Sequence, residues 1–481
     1  MKISTRFSKR LALNSILLIA LLFSFKSLQA QGCPTINDDG VFSPETDVLI
    51  TSYHQSMAKT PTGIVAWGED MASNGGNANT ITEVTPANGY GYTGTLVHFG
   101  VSGNSDGQAF LATTTSLYAW GASGEVVDGS FVSGASFNDM NATQALPFTA
   151  ANITQIHASS DVLFILVSGE IWVATTGTTA PNGNASTNGN IWQQVQTSLG
   201  VPLTGVVQVT GNKYAGYALL GNGDIYTWGD NVVIGDGTGI QDLDYATLMT
   251  SAPVTITDIS SFTHNDNDTG LLVLGSDTKI YGVGDNTLAE LITTGSGVVT
   301  SWSAIQDGSG SDFTGVIQLS TTHTSEEWAA AAVLAEGALP SDPYVIYTWG
   351  WNNQNSIGQG GNAVIQNPTI PSSFNVGTDD PVFVSTGGHA TTFFNRAGGG
   401  SICFVGHVTS GSTAGLTSGT GSAFECVIPA TIELCGSQPT ILALDDDFSG
   451  TPIDSVAGGT TASVFADNGN GVDEANGVDA T

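Results

Sequence analysis

The groups in this chain that could do chemistry are seven histidines, four cysteines and 42 acidic residues. The histidines, His54, His98, His157, His264, His323, His389 and His407, are spread along the sequence rather than clustered. A zinc site needs His and Cys ligands converging on one point, so their spacing fits turn or hydrogen-bonding roles instead. No Gly-x-Ser-x-Gly stands in a strand-turn-helix context, and neither a phosphate-binding Gly-Lys-Ser/Thr loop nor a His-Glu-x-x-His helix occurs. Adjacent carboxylates exist at Glu326-Glu327 and Asp379-Asp380. A glycosidase needs two carboxylates aimed into one cleft, whereas so acidic a chain places such pairs on solvated turns. The chain reads as a non-enzyme.

One acidic segment has a pattern suited to a cation. Asp467, Asn468, Asn470, Asp473 and Glu474 surround Gly469 and Gly471, and calcium takes six to eight oxygen ligands from such loops. Ala466 occupies what would be the first ligand position and two Asn replace Asp, which lowers the local charge. Two readings stand: weak calcium binding, or a plain acidic linker. No other cofactor is implied.

Cys33, Cys403, Cys426 and Cys435 allow three pairings. Cys33 is near the start and the others near the end of the central region, so at least one bridge should tie the two ends together. Disulfides persist in exported proteins, and the first residues read as an export signal. Lys2, Arg6, Lys9 and Arg10 precede an apolar run over 11–25, with Ser-Leu-Gln-Ala ending at Ala30; this is signal-peptide order. The run is short of the roughly 20 residues that span a bilayer. Cys33 follows Ala30-Gln31-Gly32, a weak lipid-attachment box, which keeps a lipoprotein open as the alternative. Loss of 1–30 would leave Lys59, Lys213, Lys279 and Arg396 against 42 acidic residues, a formal charge of −38. Such a surface repels phosphate backbones, so nucleic acid is excluded as a partner. It favours metal cations, or simply solubility.

A repeat must position these groups. The pattern apolar, apolar or aromatic, any, Trp, Gly recurs as IVAWG (64–68), LYAWG (117–121), IWVAT (171–175), IYTWG (225–229), IYGVG (280–284), IYTWG (346–350) and ICFVG (402–406). The fourth positions, Trp67, Trp120, Ala174, Trp228, Val283, Trp349 and Val405, are 53, 54, 54, 55, 66 and 56 residues apart. A second apolar strand and a turn precede each copy, as in GYALLGNGD at 216–224, and a third strand such as GVVQVTG at 205–211 comes before that. Three or four short antiparallel strands per unit of about 54 residues is the signature of a propeller blade. The fold expected is all-β, a seven-bladed β-propeller over 31–440, followed by a partial all-β or irregular segment at 441–481. The tryptophans would pack between blades, and the following Gly would allow a turn to the outer strand. The longest excursion between strands is expected between Trp328 and Tyr344, where the period lengthens.

IYTWGWNNQNSIGQGG at 346–361 and IYTWGDNVVIGDGTG at 225–239 resemble the regulator of chromosome condensation repeats, in which a Tyr-x-Trp-Gly strand is followed by Asn and a Gly-Gln-Leu-Gly-like turn. Gly387-Gly388-His389 is similar to the family's Gly-x-His before the second strand. The resemblance covers roughly 47–439. It implies a seven-bladed ring, often closed by pairing the chain's two ends in one blade. The founder's chromatin and small-GTPase partners do not suit an exported, acidic chain, whereas secreted members look like binding modules, including a propeller that inhibits β-lactamase. The segment 443–481 resembles the start of a tandem module of large bacterial surface adhesins, so the chain is expected to be the N-terminal part of a longer protein.

The loops after each Trp-Gly, such as Asp230-Asn231, Asp285-Asn286 and Trp351-Asn352-Asn353, should lie on one face, with Trp351 either the aromatic contact or packed beneath a loop. The function expected is an exported non-enzymatic binding or adhesion module at the head of a cell-surface or secreted protein, with an extracellular protein or glycan ligand. The alternatives are a soluble propeller that inhibits or senses an extracellular enzyme, and an extracellular hydrolase.

Overall fold

Each Trp-Gly ends or nearly ends the third strand of a four-stranded antiparallel sheet whose strands pair in chain order. A computed structural model describes residues 48–427 apart from short loop stretches, the longest at 123–135 and 409–418. Seven such sheets occupy 49–83, 96–139, 153–194, 206–248, 256–304, 316–369 and 381–427. They are the blades of a seven-bladed propeller, numbered here 1 to 7. A two-stranded hairpin, Gln196–Ser198 with Val201–Pro202, sits between blades 3 and 4.

A single four-stranded sheet has two faces to bury, and each blade buries them on its neighbours. Seven large apolar clusters result, one per pair of adjacent blades, and the last joins Val48, Leu49 and Trp67 of blade 1 to Val382, Phe383 and Phe394 of blade 7. Trp67, Trp120, Trp228 and Trp349 are among the largest fully buried side chains, and Ala174, Val283 and Val405 are buried at the same position. Trp120 donates its indole N–H to Met71 O (3.0 Å) and Trp228 to Pro181 O (2.8 Å). Each of these indoles therefore fills a seam and pins a loop of the preceding blade.

The glycine after the Trp has a geometric cause. Gly68, Gly121, Gly229, Gly284, Gly350 and Gly406 have φ between 97° and 126°. A Cβ there would stand 2.1 to 2.7 Å from a backbone carbonyl at the start of the second strand. In five blades the register with the outer strand shifts at this glycine. The residue is thus a bulge that aims the chain to the outer strand. In blades 2 and 3 the ladder with the outer strand ends two residues short of this position, which holds Gly121 and Thr175.

Two expectations need correction. Among the described residues no strand is exchanged between the ends: blade 1 is built from 49–83 and blade 7 from 381–427. Closure comes from side-chain packing, and from Thr51 N donating to Ser385 Oγ (2.8 Å). Nor is 328–344 one excursion. Strand Ala330–Ala335 runs through it, so the longer period is shared by the loops on either side of that strand. Cys403 and Cys426 face each other on the third and outer strands of blade 7 and form a disulfide. Cys33 and Cys435 lie outside the described residues, as does the whole of 441–481.

The innermost strand of a blade has one edge without a ladder partner, and in several blades a side chain of the preceding blade covers it. Gln155 donates from Nε2 to Val209 O (3.0 Å) and accepts from Val209 N (2.8 Å). Gln208 does the same to Ile259 (3.1 and 3.1 Å) and Gln318 to Val384 (3.2 and 3.0 Å). Two residues on, His157, Thr210, Ser320 and Ser385 each accept from a backbone amide of the next blade. Burial pushes His157 down to about 4, so it is neutral at ordinary pH, and its Nε2 lies 3.0 Å from the Gly211 amide and 2.8 Å from the Gly211 carbonyl, accepting from one or donating to the other according to tautomer.

Blade 5 carries Asp258 at the glutamine position. Its carboxylate accepts from Gln208 Nε2 (2.7 Å) and from the Leu319 amide, yet burial pushes its pKa up to about 6. A carboxyl whose folded pKa is raised binds its proton more tightly when folded, so its contribution is full below the unfolded value near 4 and is lost as pH rises through about 6. Asp258→Asn, which keeps the shape and removes the charge, should raise stability at pH 7 by on the order of 1–2 kcal/mol and leave it unchanged near pH 4. Thermal melts of both proteins across this range check it.

Candidate binding face

With first strand up, second down, third up and outer down, the turns between first and second strands and the loops between third and outer strands share one face. We call it the loop face. By the same alternation, Val48 at the start of blade 1 and Val427 at the end of blade 7 lie on the opposite side.

The residues expected to bind ligand all fall on this face, on the consecutive blades 4, 5 and 6, but they differ in access. Asn352 is fully buried. Its Nδ2 donates to Gly360 O (3.2 Å) and Gly361 O (2.9 Å), and its Oδ1 accepts from Ile357 N (3.2 Å). Asn286, also buried, accepts from Leu291 N (2.8 Å) in the same way, five residues on. Leu291 and Ile357 are fully buried in turn, so each Asn folds its loop to drop an apolar side chain inward. Asp285 is buried and accepts from Thr287 N and Oγ1 at 3.2 and 2.7 Å.

The others are accessible. Asp230 is exposed, and partial desolvation of its carboxyl, together with the charges of Asp242 and Asp244, holds its pKa above the usual range. Asn231 takes a left-handed φ of 57° and its amide donates to Asp242 Oδ1 (3.0 Å). Trp351 is half-buried, packed on the cluster between blades 5 and 6, and its Nε1 has no hydrogen-bond partner among the described residues. Asn353, half-buried beside it, opens the short 3-10 turn Asn353–Asn355. Asp467, Asn468, Asn470, Asp473 and Glu474 lie outside the described residues. Among the described residues, no group of three or more His, Cys, Asp or Glu is placed to hold a metal ion. No helix among them is long and apolar enough to cross a membrane.

A constellation that sequence reasoning missed lies where blade 7 meets blade 1. Glu69 Oε2 is 2.7 Å from His54 Nδ1, and His54 Nε2 is 2.8 Å from His389 Nδ1. A carboxylate accepts, so His54 carries its proton on Nδ1 and His389 donates to its Nε2. Tyr53 lies against His389 with ring centroids 3.5 Å apart and the rings tilted by 34°. A Cβ on Gly387 would sit 1.9 Å from Ser52 O, which makes that glycine a condition of the close approach. Gly387-Gly388-His389 was visible in the sequence, but its partner 335 residues earlier was not. Of the described lysines, Lys279 pairs with Asp312 (2.9 Å), which raises its pKa, Lys213 lies over the Tyr214 ring, and burial lowers the pKa of Lys59.

No protein-family model matches the chain, and no curated protein matches it. Solved structures do. Human WBSCR16 superposes with a TM-score of 0.52 at 14% identity, over 73% of this chain and 85% of the other. Yeast RCC1 (Prp20) bound to Kap60 gives 0.50 at 14%, over 71% and 78%. Prp20p from Saccharomyces cerevisiae, described with its binding to Gsp1p and histones, gives 0.50 at 14%, over 75% and 87%. At this identity the likeness is one of fold, an RCC1-like seven-bladed propeller.

The asparagine geometry predicts that Asn352→Ala lowers stability by about 1–3 kcal/mol, because two carbonyls and one amide lose their partner. Asn353→Ala should change it by less than about 0.5 kcal/mol. Denaturant melts of the two variants check the contrast.

Proposed function

We propose that this propeller is an exported, non-enzymatic binding module, the head of a cell-surface or secreted protein, and that its loop face engages an extracellular protein or glycan. The observation that carries this reading is the connectivity. Both ends of the described chain lie on the opposite face, so attachment through either end is compatible with an open loop face. Further support comes from the signal-like 1–30, from the bridged Cys403 and Cys426, and from the scarcity of Lys and Arg. Prp20, of similar fold, was solved bound to Kap60, which is a precedent for propellers of this shape as protein binders, though fold alone does not name a partner.

On this reading the accessible residues Asp230, Asn231, Trp351 and Asn353 make contact, while Asp285, Asn286 and Asn352 shape the loops beneath. Half-buried tryptophans commonly anchor interfaces, because the ring is already held and its ordering costs little. Screening the purified chain on glycan arrays and against extracellular proteins, then measuring affinity for the hits, tests the reading. Trp351→Ala should weaken binding by 10-fold or more, about 1.4 kcal/mol, in a chain that still folds cooperatively, although its lost packing on the cluster between blades 5 and 6 lowers the melting temperature. Substituting Leu199, an exposed side chain away from that face, by Ser should not. Loss of binding from Leu199→Ser with none from Trp351→Ala or Asp230→Asn would reverse the assignment of the face.

A further inference from the structure

We infer that His54 and His389 are a proton-counting clasp on the seam that closes the ring: the pair stays joined with one added proton and parts with two, so acid opens the propeller between blades 7 and 1. This seam has no glutamine clamp. Phe383 stands at the position that Gln318 holds in blade 6, opposite Phe394 where Gln318 is opposite Leu334, and a phenyl ring neither donates to nor accepts from the next blade's edge. The described parts of blades 7 and 1 are held together by an apolar cluster, the Thr51–Ser385 hydrogen bond and the histidine pair.

The hydrogen bonds fix how many protons fit. Glu69 occupies one side of His54: its Oε2 accepts from Nδ1, and its amide donates to His54 O (3.1 Å). The facing nitrogens, His54 Nε2 and His389 Nδ1, share one proton across 2.8 Å. A first added proton leaves that bond intact, because one of the two nitrogens still accepts. The cation it makes is joined to the Glu69 carboxylate and lies against Tyr53, whose ring centroid is 4.3 Å from His54 and 3.5 Å from His389. A second proton puts an N–H on both facing nitrogens. Neither then accepts, and two cations meet in a place nearly closed to water, with the His54 side chain 8% exposed and His389 2%. The unfolded chain takes both protons freely, so it binds more of them than the closed ring, and stability falls as pH drops below the ordinary imidazole value of about 6.5. Of the other ionisable groups on elements packed here, Asp70 turns to blade 2, where it accepts from Gly107 N (3.1 Å), and Asp106 and the His407 side chain lie outside the described residues.

The test reads hydrogen exchange in the full chain, at pH 7 and pH 5, at two amides that cross seams. Thr51 donates to Ser385 Oγ between blades 7 and 1, and Thr386 donates to Ser320 Oγ between blades 6 and 7. With the intrinsic pH dependence of exchange divided out, protection at Thr51 should fall about 10-fold or more in acid, the factor for one unit of proton affinity, while Thr386 holds. An equal change at both amides, or none at Thr51, would overturn the inference, and this comparison needs no variant. Two substitutions separate the pair from His98 and His157, which also give way in acid because burial holds each down to about 4. His389→Asn keeps an N–H at the facing position and cannot take the second proton, so its Thr51 should stay protected at pH 5. Glu69→Gln keeps the acceptor without the charge, and its loss at pH 5 should exceed that of the unaltered protein. A loss at Thr51 that either substitution leaves unchanged would place the protons elsewhere and overturn the clasp.

Discussion

Everything in this molecule depends on how the edge of one innermost strand is satisfied by the blade before it. A four-stranded sheet set with its first strand on the central axis leaves that strand's outward amides and carbonyls without a backbone partner. Unpaired groups of this kind cost about as much as a lost hydrogen bond when removed from water. Gln155, Gln208 and Gln318 answer with an amide that donates and accepts at once, which matches the donor and acceptor of one backbone residue. Because each clamp joins consecutive blades, a blade is fully satisfied only within the ring. Asp258 shows the limit of the scheme: a carboxylate accepts but has nothing to give the next carbonyl unless it is protonated.

The Trp-Gly pair works on the other side of the same sheets. The indole fills the seam that the clamps draw together, and reaches the loop of the preceding blade with its N–H. The glycine turns the chain where a side chain would collide with a carbonyl. Loops on the loop face are therefore held from below by core residues, and a buried Asn in two of them folds the loop onto an apolar anchor. A face assembled in this way can vary its exposed residues, such as Asp230, without disturbing the ring. This separation of scaffold from contact residues suits a binding module.

Much of the fold was legible because its causes are local and periodic. The spacing of Trp67, Trp120, Trp228 and Trp349, with Ala174, Val283 and Val405 in phase, is set by blade size. What was not legible depends on contacts between distant parts of the chain. Blade 1 has an inner strand of three residues, Leu49–Thr51, too short to reveal by pattern whether it borrows a strand from the other end. The meeting of His54 with His389 depends on ring closure itself. The glutamine clamps had a signal that went unread, since Gln155, Gln208 and Gln318 each stand two or three residues into an apolar strand just before the second strand of the repeat. Burial was the obstacle at the site: Asn286 and Asn352 look like exposed loop residues in sequence, and only the fold shows them turned inward.

The most direct test of the clamp is native-state hydrogen exchange at three amides, Val209, Ile259 and Val384. Each belongs to an innermost strand and each donates to a glutamine side chain of the preceding blade. If the clamps hold the ring as one cooperative unit, these amides exchange as slowly as those in the backbone ladders, and Gln155→Leu frees Val209 while leaving its ladder neighbours protected. Rapid exchange at all three in the unaltered protein, with the ladders still protected, would contradict the account.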